Sequence, residues 1–145
     1  MSMDFKALVD RLDKLGTGPR AELRRCATPQ DVALVPAFYR LFVGIKTDLR
    51  HQRIAFFLPL VRHKEGGIRM GQQLAKAKIN EQRMFQVLRS QPPNDLIQLR
   101  RLVQQAEPQV DWQKFGEMLY YWGPEQKQRL LEDYFMHQQP KDKEQ

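Results

Sequence analysis

Asn94-Asp-Leu-Ile-Gln-Leu-Arg-Arg-Leu-Val-Gln-Gln-Ala106 is the stretch whose reading decides the fold. Leu96, Leu99, Val103 and Ala106 recur at spacings of three and four, which places them on one face of a helix. Asn94 is expected to cap that helix by accepting a bond from an unpaired backbone N–H, and Asp95 complements the positive end of its dipole. At about 100° per residue, Leu102 falls beside the stripe, Arg100 flanks it and Arg101 points away. An arginine pair therefore stands at the rim of an apolar face, a place where long basic side chains commonly border a core and reach for water.

The flanking segments carry the same signature. Upstream, Asn80 is placed to cap a helix bearing Met84, Val87 and Leu88 on one side, and Gln91-Pro-Pro93 breaks it. Downstream, Asp111 opens a helix with Trp112, Phe115, Met118, Leu119 and Trp122. Gly123 ends that helix, and Pro124 starts a last one with Leu130, Leu131, Tyr134 and Phe135 facing inward.

Nearer the N-terminus, Phe5, Leu8, Val9, Leu12 and Leu15 form an amphipathic run stopped by Gly16-Thr-Gly18, and Pro19 opens the next helix. Thr28-Pro-Gln-Asp31 has the hydroxyl, proline and acid of a capped start. Pro36–Phe42 reads as a short helix rich in buried aromatics. Arg50–Val61 reads as a longer helix, with Pro59 as a kink. Lys64-Glu-Gly-Gly67 is the clearest loop, and Ile68–Lys76 reads as a short helix after it. No alternating strand pattern of useful length occurs. The expected fold is all-α, a helical bundle of about eight helices. An N-terminal bundle is expected over residues 1–66, a C-terminal bundle over 67–137, and a flexible tail over 138–145.

Composition narrows the function. The chain has 145 residues, 24 Lys+Arg against 17 Asp+Glu, and a net charge of +7. Residues 1–106 carry +10 and residues 107–145 carry −3, an asymmetry that favours an acidic partner for the first part. The single cysteine, Cys26, excludes an intrachain disulfide and fits a reducing compartment. No apolar run approaches the ~20 residues that span a bilayer, and the first residues lack a signal-peptide core, so a cytoplasmic protein without membrane contact is expected.

No catalytic constellation assembles. His51, His63 and His137 lack metal-ligand spacing, and two of them follow Arg50 and Arg62. Cys26 after Arg24-Arg25 reads as a small core residue rather than a nucleophile. Glu132 and Asp133 face different directions, and the glycines at 66, 67 and 71 follow no strand. Tyr120-Tyr121-Trp122 could stack bases, though core packing suits it better. A non-enzyme without a cofactor or metal is expected. What remains is basic residues on separate helices: Arg24-Arg25, Arg50 with Arg53, Arg69, Lys76 with Lys78, Arg83, Arg89 and Arg100-Arg101. Such a set can hold phosphates along a path without reading sequence.

Several strings occur in one order in a known family: Pro36-Ala-Phe-Tyr-Arg-Leu41, Arg50-His-Gln52, Ile79-Asn-Glu-Gln-Arg83 with Phe85-Gln86, and Gln98-Leu-Arg-Arg-Leu102. Ala106-Glu-Pro108, Asp111-Trp112, Trp122-Gly123 and Leu130-Leu-Glu-Asp133 follow in the same order. Over residues 18 to 135 the chain resembles the CasB family, the small subunits of the type I-E CRISPR surveillance complex Cascade. The resemblance implies an all-helical, noncatalytic protein that needs no cofactor. It also implies two copies stacked head to tail beside the backbone subunits, with large-subunit neighbours. Basic surfaces would help hold the guide RNA–target DNA hybrid and the displaced strand, so that the R-loop persists.

Carried onto this chain, the motif-matched arginines are Arg24, Arg25, Arg50, Arg83, Arg100 and Arg101, and Arg53 and Lys78 join them on charge alone. The chain departs from relatives at Pro92-Pro93 and at Pro124-Glu125, where they can be basic, and in a shorter Lys64–Gly67 loop. The alternatives are a protein–protein adaptor without direct DNA contact and a stand-alone DNA-binding regulator. The second lacks a recognisable short-turn helix pair.

Overall fold

Local signals set most of the helix starts in the computed structural model, which describes residues 3–136. Asp4 caps α1 (Phe5–Leu15), and Gly16 at φ +97° turns the chain into α2 (Thr17–Arg24). A 3-10 helix (Pro29–Leu34) follows. Thr28 Oγ1 accepts from Asp31 N, and Thr28 N donates in return to the Asp31 carboxylate, the reciprocal cap the sequence implies. Then come α3 (Pro36–Leu41), α4 (Leu49–Phe57), α5 (Met70–Lys76) and α6 (Glu81–Arg89), the last capped by Asn80. α7 (Asn94–Ala106), α8 (Trp112–Tyr120, capped by Asp111) and α9 (Pro124–Met136) complete the all-α fold. Among the described residues the strand content is one parallel pair of two-residue segments, β1 (Arg62–His63) and β2 (Gln109–Val110).

Several local expectations shift. Asn94 does not cap α7; Pro93 holds the cap position and makes no side-chain bond. The helix expected over Arg50–Val61 ends at Phe57, so Pro59 lies beyond it instead of kinking it. The freed Pro59 carbonyl accepts from Arg20 and Arg24. Phe135, expected inside, is exposed, as is Tyr39 on α3, while Leu130 and Tyr134 are buried. His137 and residues 138–145 lie outside the described residues.

Packing sorts the helices into two groups. The 3-10 helix and α1–α4 pack among themselves, and α5 packs along α9, with α6 against both α7 and α9. α8 follows the second group's helices in sequence, yet it packs with the first, on α1 and α4. One continuous hydrophobic core joins all of them, with Trp112 fully buried and its Nε1–H donating to Val61 O at 2.8 Å.

Two glycines allow the closest helix crossings. A Cβ on Gly116 of α8 would lie 2.3 Å from Phe5 Cγ, and one on Gly71 of α5 would lie 2.3 Å from Leu130 O of α9. At Gly71 the obstacle is backbone and cannot rotate aside. Gly71→Ala should therefore push α5 off α9 and cost about 1–3 kcal/mol, read as a lower denaturant midpoint at unchanged slope.

Candidate nucleic-acid interface

α7 organises the basic residues. Its apolar stripe of Leu96, Leu99, Leu102 and Val103 is buried, and Arg101, Gln104 and Gln105 form the solvent face. Across from it on α6, Arg83 Nη1 donates to Gln105 Oε1 at 2.5 Å, which brings the Arg83 guanidinium onto the face that carries Arg101 one turn earlier. On the other flank, Gln104 and Arg24 line one groove of about 980 Å³, together with Arg20, which pairs with Asp13, and with Arg62, Asp10 and Glu107. The result is a strip across three helices, with Arg83, Arg101 and Arg24 in succession and glutamines between them. Exposed Arg25 adjoins it at the end of α2, and Lys78 stands on the α5–α6 turn in the left-handed region at φ +62°.

Two of the eight expected contacts are turned inward. Arg100 is buried, 6% exposed, with its guanidinium in the C-terminal end of α2. Nη1 donates to Cys26 O, and Nη2 donates to Arg24 O at 3.0 Å and to Leu23 O at 3.4 Å. The plane also lies 4.3 Å from the Phe56 ring centroid. Arg53 does the same for α8, donating to Leu119 O at 2.6 Å and Tyr120 O at 2.5 Å. The last carbonyls of a helix have no partner within it and carry the negative end of the dipole, so a fixed cation satisfies both needs. Burial lowers the pKa of both guanidiniums from the ordinary arginine value, yet they remain charged. Both Arg53 and Arg100, expected from the sequence as phosphate contacts, have their guanidiniums engaged by helix-end carbonyls here.

Arg50 is exposed but engaged. It donates to the Asp48 carboxylate through Nε at 3.1 Å and Nη2 at 2.7 Å, and its guanidinium lies 4.7 Å from the Tyr120 ring centroid. The hydrogen bond from Arg50 holds the Asp48 carboxyl well below the usual carboxylate range. His51, below this pair, is buried, with Nδ1 placed to accept from Asp48 N, so it serves the helix start. Asp48→Asn keeps an acceptor for the α4 N-terminus and releases the Arg50 charge. Target DNA should then bind about fivefold tighter at 0.15 M salt, since one added phosphate contact carries that weight, and unchanged affinity would take Arg50 off the nucleic-acid path. A filter-binding titration checks it.

The aromatic run divides. Tyr120 packs edge-on against Phe5 and His51, Trp122 Nε1–H donates to Asp95 at 2.9 Å, and Tyr121 is 62% exposed. Asp95 is fully buried and also pairs with Lys127 at 2.8 Å, while Lys127 donates to Ser90 O. Lys127 is therefore taken up within the fold, and Glu125 pairs with Arg129 at 3.3 Å. Gln104, Gln105, Arg20 and Arg62 join the site only in the folded chain. Only the Arg101–Gln105 spacing was there to be read; the positions of Arg20 and Arg62 beside α7 depend on packing.

The fold and this strip define a small all-α protein with a basic surface laid across a central buried helix. The chain belongs to the family of CRISPR-associated protein Cse2, whose family model matches residues 19–135. It is 37% identical over 150 residues to the CRISPR system Cascade subunit CasB of Escherichia coli (strain K12), covering 92% of this chain and 94% of that protein. It also matches a chain in the crystal structure of E. coli Cascade bound to a PAM-containing dsDNA target. That match has a TM-score of 0.85 at 37% identity, over 94% of this chain and 99% of the other. No helix among the described residues is long and apolar enough to cross a membrane.

Proposed function

We infer that this chain is a noncatalytic small subunit of a Cascade-type RNA-guided surveillance complex. It holds nucleic-acid backbone independently of sequence and so stabilises the R-loop through its target and displaced strands. The observation that carries the reading is Arg101, exposed in mid-strip with Arg83 on one flank and Arg24 on the other. Opening a DNA duplex to form a guide–target hybrid is nearly balanced in free energy, so a few protein–phosphate contacts can tip it. Arg24, Arg25, Arg83, Arg101 and Lys78 supply those contacts, and Arg50 joins when it leaves Asp48. The partners are the backbone and large subunits, a second copy of the chain, the guide RNA–target DNA hybrid and the displaced strand, in the cytoplasm. The E. coli relative's place in a DNA-bound Cascade supports the assembly.

A photo-crosslinking residue at Gln105, inside the complete complex with bound target, should react with DNA. Crosslinks to protein alone would instead favour the adaptor reading, in which the arginines face acidic subunit surfaces. The ion pair that occupies Arg50 is the observation on that side.

A further inference from the structure

Exposed apolar side chains are concentrated in one stretch of the chain. Among the described residues, Leu34, Tyr39, Val43, Ile45 and Leu49 are five of the eight large apolar side chains left exposed, and they fall within residues 34–49. Leu34 is 82% exposed and Val43 70%. Single exposed apolar residues are ordinary on a protein surface, whereas a cluster marks a contact site.

The cluster is also held in place. The Tyr39 hydroxyl donates to Ala33 O at 2.7 Å, which ties its ring to the segment that presents Leu34. Ile45 N donates to Phe42 O at 3.0 Å, closing the turn that displays Val43 and Ile45. Val32, Phe38, Leu41 and Phe42 are buried beneath, so the surface sits on core rather than on a loose loop. Its charges have one sign. Arg40 and Lys46 are exposed, and the one carboxylate in this stretch, Asp48, is occupied by Arg50.

We propose that this surface docks another protein subunit of the complex, one offering an apolar patch bordered by carboxylates that meet Arg40 and Lys46. The proposal rests on the assembly reading above and names the face through which the chain enters. Nucleic acid is a poor occupant: phosphates would use the two cations but leave Leu34, Val43 and Ile45 without a partner, whereas an apolar protein face removes them from water.

Two variants test it. Val43→Ser with Ile45→Ser removes the apolar centre, and Arg40→Glu with Lys46→Glu reverses the rim. All four side chains are exposed, so thermal unfolding should stay within about 2 °C of the parent. Each variant is titrated into a complex reconstituted from the other subunits and guide RNA. The isolated chain is followed in parallel by sedimentation equilibrium and by binding to a DNA oligonucleotide. The expected result is that each variant enters the complex with about tenfold weaker affinity or worse, while the mass and DNA binding of the Val43/Ile45 variant alone are unchanged. Unchanged entry of both variants overturns the proposal. So does a loss confined to self-association, which would make a second copy the occupant, or a loss of oligonucleotide binding in the Val43/Ile45 variant. A parent chain that does not enter the complex at all would instead overturn the assembly reading.

Discussion

Arg100→Ala should lower the unfolding midpoint by on the order of 10 °C, while Arg101→Ala should leave it within about 2 °C. The two residues are neighbours with the same side chain, and the tertiary environment separates them. Removing the Arg100 guanidinium leaves the carbonyls of Arg24 and Cys26 without that donor, takes a second donor from Leu23 O, which also accepts from Cys26 N, strips a cation from the Phe56 face and opens a void between α2 and α7. Bonds from a charged donor are worth about 1.5–3 kcal/mol each and are not additive, so a total cost of about 3–5 kcal/mol is expected. Arg100→Lys should recover little of it, since a single ammonium cannot span carbonyls that a planar fork reaches together. Differential scanning calorimetry of the three variants decides the matter. An Arg100→Ala midpoint within 3 °C of the parent would show that the buried guanidinium contributes little.

The second large effect is on binding. A chain with Arg24, Arg83 and Arg101 all changed to Glu should assemble and melt normally. The complex containing it should bind target DNA about 50- to 150-fold more weakly at 0.15 M salt. That figure follows from losing three phosphate contacts, each of which adds about 0.7 to the salt slope on single strands and about 0.9 on duplex. The slope itself should fall by about 2 to 3. The salt series is the discriminating measurement, because a fold defect lowers affinity at every salt without flattening the slope. A variant with the parent's slope would remove the α7 strip from the nucleic-acid path.

Much of the architecture was legible from periodicity and caps. The stripe of α7, the reciprocal cap at Thr28 and Asp31, and the starts of α6 and α8 at Asn80 and Asp111 all depend on residues within a few positions of one another. The misses have a common cause. Asn94 is a good acceptor and its type suits a cap, but the chain enters α7 from Pro93 and the next residue, Asp95, turns inward to Trp122 and Lys127. The rings of Phe135 and Tyr39 suit a core, but each sits on the side of its helix that other elements leave exposed.

The candidate site was legible only as a set of charges. By itself the sequence determined the helix periods, the excess of positive charge over residues 1–106 and the Arg100–Arg101 pair at the edge of an apolar face. Those depend on local geometry and composition, which need no knowledge of neighbours. Tertiary structure alone decided which guanidiniums remain available. The C-terminal carbonyls of α2 and α8 happen to meet Arg100 and Arg53, and a helix end buried beside a cation takes that cation out of solvent. Arg101, one residue on and about 100° around the helix, meets no such end and keeps its charge at the surface.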